Sequence, residues 1–261
     1  MFGRVAARSF AYLLVFLAAV FGSPATAFAQ YQTDIGASAI EALPSQAVAV
    51  AEPFGRSVLP VFDGEIFDKW NGLAADIRSE SDILTRCRDD AAACPAAARK
   101  FLAVIADGRA HDGRARFGVI NRAINLTIEP MSDQAQWGVP DRWSAPLVTL
   151  ASGRGDCEDY AIAKYVALKE TGVSEDDLRL VIVRDLAAGQ DHAVVAARLD
   201  TKWIVLDNRR LVMLEDLDMP RVLPLFALGR DGVKTFVSTP TVQARAPTTA
   251  PAAAEPSSLG F

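Results

Sequence analysis

Gly153-Arg154-Gly155-Asp156-Cys157-Glu158-Asp159-Tyr160-Ala161-Ile162-Ala163-Lys164-Tyr165 is the stretch from which the rest of the chain is read. The glycines, with Ser152 before them, are loop chemistry. After them Glu158 and Asp159 fall in a first helical turn, and Ala161, Tyr165 and Leu168 make one apolar face, with Ile162 and Val166 beside it. Gly172 stands just past the end. A helix is therefore expected to begin at Asp156, which puts Cys157 where a glycine-rich loop enters it. Backbone N–H groups there favour a thiolate and can also donate to an oxyanion. The flanking carboxylates work against that, because negative charge beside a thiol raises its pKa. They have two readings. One is helix capping, at about 0.3 to 1 kcal/mol each; the other is a hard cation such as calcium, held by Asp156, Glu158 and Asp159 with backbone carbonyls and water.

Downstream the period shortens to that of strands, with β-branched or aromatic runs at Leu178 to Val183, Ala193 to Leu199, Trp203 to Leu206 and Leu211 to Leu214. His192 opens the second run and is one of two histidines. The other, His111, lies in a polar Asp/Gly/Arg-rich segment and reads as a surface residue. A turn at Leu199-Asp200, or a wider one from Arg198 to Thr201, makes opposed residues sum to 399 and sets His192 across from Asp207. Opposed side chains share a face with Cβ atoms about 5 Å apart, so Asp207 could fix the imidazole while its other nitrogen meets the thiol. Each residue alone has a plainer reading, a packed histidine and an Asp-Asn turn. Cys157 at a helix start on an exported chain tips the set toward a Cys157–His192–Asp207 triad.

Upstream, Phe67, Trp70, Leu73 and Ile77, then Phe101, Val104 and Ile105, then Phe117, Ile120 and Ile124 keep helical spacing, with breaks expected around Cys94-Pro95 and Asp107-Gly108. Residues 129–154, rich in Pro, Gly and Trp, read as loop. The first 29 residues read as a signal peptide: Arg4 and Arg8, an apolar run from Phe10 to Phe21, and Ala27-Phe28-Ala29 before Gln30. The mature protein is then expected outside the cytoplasm, in the periplasm or secreted. Residues 30–60 read as a loosely ordered segment, 61–238 as one catalytic domain, and 239–261 as a disordered Pro/Ala-rich tail too poor in large apolar groups to offset its ordering entropy. The 261 residues, 51% hydrophobic, suffice for one such core. Net charge is −5, or −7 without Arg4 and Arg8, and no basic patch suggests nucleic acid. Three cysteines in an oxidising compartment imply one bridge and one thiol, which from their context are Cys87 with Cys94 and a free Cys157.

The quoted block, with Asp141-Arg142-Trp143-Ser144-Ala145-Pro146 before it, resembles the bacterial transglutaminase-like cysteine proteinases, the family of the LapG-type periplasmic proteases. The likeness runs from about Ile120-Asn121 to His192-Ala193-Val194 and Val205-Leu206-Asp207-Asn208. It implies an α+β fold with a papain-like, transglutaminase-like core: the nucleophile's helix packs on an antiparallel sheet, with additional N-terminal helices. It implies the catalytic order Cys157, His192, Asp207, and calcium held through Asp156 and Glu158. The resemblance further implies a protein substrate such as a surface adhesin, cut in biofilm release, and an inner-membrane receptor that responds to cyclic di-GMP. Two rivals stay open on sequence. Acyl transfer to an amine uses the same thioacyl intermediate, and a non-catalytic module could use the cleft to hold calcium or peptide.

Overall fold

The computed structural model describes residues 51–237. The signal peptide expected at 1–29 and the tail expected at 239–261 lie outside the described residues. A 3-10 turn at Pro53–Gly55 leads into β1 (Val58–Val61), and three helices follow: α1 (Glu65–Asp89), α2 (Ala96–Arg109) and α3 (Gly113–Thr127). Next come β2 (Glu129–Pro130), α4 (Asp133–Trp137), α5 (Pro146–Ser152), β3 (Arg154–Gly155) and α6 (Cys157–Glu170). The chain ends in strands β4 (Leu178–Asp185), β5 (Gln190–Leu199), β6 (Lys202–Leu206), β7 (Leu214–Glu215), β8 (Val222–Gly229) and β9 (Gly232–Phe236). An antiparallel sheet of order β1-β9-β8-β4-β5-β6-β7 carries helices on one face, which is an α+β architecture.

The helices follow the apolar spacing. Trp70, Leu73, Ile77, Leu84 and Cys87 of α1 are buried, and the Trp70 indole donates to the Gly229 carbonyl at 3.2 Å, fastening α1 to β8. The break at Pro95 appears where expected, bridged by the Cys87–Cys94 disulfide. The second break does not fall at Asp107-Gly108. The helix α2 runs through to Arg109, and Gly108 serves packing instead: a Cβ there would lie 2.7 Å from Ile120 Cδ1 and 2.8 Å from Thr171 Cγ2. Residues 129–154, expected as loop, contain two short helices. The carboxylate of Glu80 on α1 accepts from Leu147 N at 2.8 Å and Val148 N at 3.3 Å, so α5 is capped by a residue distant in sequence.

The sheet has a packed core on each face. Ala193, Val195 and Ala197 of β5 join the helices, while Val194 and Ala196 join Val181, Val205 and Phe236 on the other side. The observed pairing corrects the expected register. Leu199 pairs with Lys202 and Val195 with Leu206, so the tight turn is Asp200-Thr201, with Asp200 at φ 57°, and opposed numbers sum to 401. A slip of one residue would have turned Asp207 to the other face, whereas this slip of two preserves the face. His192 and Asp207 thus remain on one side as diagonal neighbours.

At the N-terminal end, residues 53–61 were expected to be loose, yet they build the 3-10 turn and the edge strand β1 on β9. Their anchor lies just before: Glu52 Oε2 accepts from Arg179 Nε at 2.7 Å and its Oε1 from Lys234 Nζ at 2.8 Å, while Trp203 Nε1 donates to the Ala51 carbonyl at 2.8 Å. Burial works to raise the Glu52 carboxyl, but the two cations outweigh it and hold it below its ordinary value.

Candidate active site

Asp156 takes extended backbone angles and α6 begins at Cys157, as the loop-to-helix reading requires. The helix is buried on all sides from Asp159 to Leu168, a centre around which the other layers pack. Cys157 is the free cysteine, at intermediate exposure. It opens into a cleft of about 430 Å³ that it shares with Trp143, Ile182, His192, Ala193 and Phe226. His192 and Asp207 are 3% and 2% exposed, and His192 Nε2 meets Asp207 Oδ1 at 2.9 Å. His192 Nδ1 has no partner among the described residues and remains available on the imidazole in the thiol's cleft. His111, by contrast, stands at the end of α2 with its side chain 41% exposed.

Asp207 is held from several directions. Its Oδ1 also accepts from Arg209 N at 2.9 Å, and Oδ2 faces Arg210 Nε at 3.3 Å. Burial pushes its carboxyl up, but the hydrogen bonds from His192 and Arg209 and the charges of His192 and Arg210 overcome this and keep it below the ordinary value. Two asparagines of α3, a turn apart, grip the same backbone. Asn125 Nδ2 donates to the carbonyls of Asp207 (3.0 Å) and Arg210 (3.2 Å), and Asn121 Nδ2 to those of Arg210 (3.3 Å) and Leu211 (3.2 Å). Asn121 belongs to the stretch quoted for the family resemblance, but nothing local in the sequence marks it or Asn125 as a clamp.

The thiol is held back electrostatically. Burial raises its pKa, the Glu158 charge and the Sγ–H bond to Glu158 Oε2 at 2.8 Å raise it further, and the backbone N–H of Ala193 opposes them. The acidic residues nearby sort into two overlapping groups. Ligand oxygens of Asp133, Asp156 and Asp159 lie within 4.8 Å of one another, and those of Asp133, Asp141 and Glu158 do likewise. Glu158, expected beside Asp156 and Asp159, therefore falls in the second group, and Asp133 and Asp141 join residues that are 20 or so positions later in the chain. Burial followed by the charges of Glu158, Asp133 and Asp159 pushes Asp156 up to about 8. Asp159 rises to about 7, burial again first, although Ser144 N donates to its Oδ1 at 3.0 Å. Asp133 Oδ1, Asp156 Oδ1 and Asp159 Oδ2 are buried oxygens with no partner. Three converging, unpartnered, hard oxygens fit a calcium ion, which takes carboxylate and carbonyl oxygens in flexible geometry. No short-range spacing joins Asp133 to Asp156, so sequence reasoning missed it.

A thiol at a helix start, sharing a cleft with an imidazole that a carboxylate holds by its far nitrogen, is the layout of a cysteine hydrolase. Residues 81–216 match the family described as bacterial transglutaminase-like cysteine proteinases, and the chain belongs to that family, a transglutaminase-like cysteine peptidase. Among solved structures, Legionella pneumophila LapG is similar at 21% identity and a TM-score of 0.50, over 59% of this chain and 86% of that one. Its calcium-bound form gives the same figures, and its EGTA-treated form differs only in covering 61% of this chain. At that identity the likeness shows the fold. No curated protein matches.

Proposed function

We propose that the protein is exported to the periplasm and there cuts a protein substrate as a cysteine endopeptidase, with Cys157 as nucleophile, His192 as base and Asp207 as the group that orients the base. The observation that carries this is the His192 Nε2–Asp207 Oδ1 bond at 2.9 Å together with the unpartnered Nδ1. That arrangement fixes the tautomer and leaves the nitrogen needed to take the thiol proton. The sulfur attacks the scissile carbonyl, and the Cys157 backbone N–H at the start of α6 donates to the oxyanion. His192 returns the proton to the leaving amine, and water, deprotonated by the same imidazole, hydrolyses the thioacyl-enzyme.

Asp133, Asp156 and Asp159 would hold calcium, with Glu158 and Asp141 alongside. When bound, the ion would supply the positive charge that buried carboxylates beside a thiol lack. A surface adhesin as substrate and an inner-membrane receptor as regulator follow from the family resemblance. The test compares secreted and outer-membrane proteins by mass spectrometry from cells carrying wild type or Cys157→Ala, with and without chelator. One new protein terminus present only with wild type supports the reading. Turnover above background in Cys157→Ala would sink it, and incorporation of a labelled primary amine into glutamine-bearing protein would turn it toward acyl transfer.

A further inference from the structure

Lys164 has no place in the chemistry above, yet its position is unusual. Seven residues after Cys157, it lies two turns further along the same face of α6. It is 0% exposed, and its Nζ has no hydrogen-bond partner among the described residues. The nearest compensation on its own helix is the Tyr160 ring, whose centroid is 5.9 Å from Nζ. A buried, unpaired ammonium is costly, and a hydrophobic residue of similar size would serve packing better. The charge that reaches Lys164 is that of Asp207: burial drives the lysine down to about 7, and Asp207 opposes the fall. Asn121 and Asn125 hold that carboxylate's turn from α3, and each leaves a buried, unpartnered Oδ1. Polar groups from two helices therefore converge on the turn of Asp207.

We propose that Lys164 is a positioning residue of the hydrolytic site, whose buried ammonium offsets part of the charge that Asp207 presents to His192 and so sets how tightly the imidazole holds its proton. This rests on the Cys157–His192–Asp207 reading. The charged and titratable groups around that turn are His192, Asp207, Arg209 and Arg210, with Tyr160 on α6. Arg210 is 37% exposed, so water screens it, whereas nothing screens Lys164. A carboxylate favours the imidazolium, and a cation on the same carboxylate weakens that preference.

The chain's two histidines make the effect directly readable. In the full chain carrying Cys157→Ala, the ring signals of His192 and His111 are titrated by NMR with Lys164 present, and again with Lys164→Met or Lys164→Gln. Removing a positive charge several Å away should move the His192 midpoint upward by about one pH unit, while His111 stays put. A merely structural lysine would not move it. If either substitution fails to fold by circular dichroism, the other carries the comparison; a folded variant whose His192 titration superimposes on that of its parent overturns the proposal. Failure of the triad reading looks different: Cys157 of the wild-type chain would then react with iodoacetamide no faster than the unfolded chain does, whatever occupies position 164.

Discussion

Gly155→Ala is a one-carbon change whose effects can be worked out before it is made. A Cβ on Gly155 would stand 2.5 Å from Asp159 Oδ2 and 2.7 Å from Asp159 Cβ, where ordinary contact begins at 3.4 Å. The carboxylate must then retreat by roughly 0.9 Å in a packed interior. It cannot swing aside freely, because its own Cβ is among the clashing atoms and is fixed to the first turn of α6. Overpacking of this kind costs about 1 to 3 kcal/mol, and a Ser144 N–H deprived of its 3.0 Å partner adds about 1 to 3 kcal/mol. A loss of about 3 kcal/mol is expected. Because Asp159 Oδ2 is also one of the unpartnered oxygens grouped with Asp133 and Asp156, the same displacement should remove any calcium-dependent gain in stability. Urea unfolding with calcium or with chelator measures both effects, and Asp159→Asn serves as the control that changes charge at constant size. The reasoning is refuted if Gly155→Ala unfolds at the wild-type midpoint and calcium still raises it.

Asp207→Asn should keep the imidazole in place but lose the charge that favours its protonated form, so iodoacetamide should alkylate Cys157 about a hundredfold more slowly at pH 7, read by mass spectrometry. Cys87→Ser with Cys94→Ser opens a loop of sequence separation 7 and should lower stability by about 2.5 kcal/mol in reversible urea unfolding; an unchanged midpoint would contradict this. Lys164 is displaced from its ordinary 10.5 to about 7, so the folded chain binds fewer protons than the unfolded one between those values. The penalty for keeping it is therefore full below pH 7 and fades above 10.5, and Lys164→Met should stabilise the chain by roughly 4 kcal/mol at pH 6 and by much less at pH 10. Thermal scans across that range test the sign.

What could be read from sequence were the residues whose chemistry is local. Cys157 showed itself through the glycines before it and the acidic first turn after it, and the free thiol and the Cys87–Cys94 pair followed from counting in context. The His192–Asp207 partnership survived a wrong register, because the hairpin slipped by two residues and strand faces repeat every two. Features set by tertiary contact stayed hidden. The start of α5 is capped by Glu80, Gly108 exists for the approach of Ile120 and Thr171, and Asp133 reaches the carboxylate group across more than 20 residues of chain. The strands β8 and β9 lay beyond the last apolar run singled out, where Pro224 and two glycines interrupt the pattern.

Glu52 bears on where this domain may be cut. A fragment begun at residue 61, the border that hydropathy suggests, would strand Arg179 in the middle of the sheet and Lys234 near its rim, both bereft of their shared anion. It would also strip β9 of its neighbour and leave the Trp203 indole without an acceptor. Any shortened version meant for crystals or assays should keep everything from Ala49 onward, where the compact unit begins.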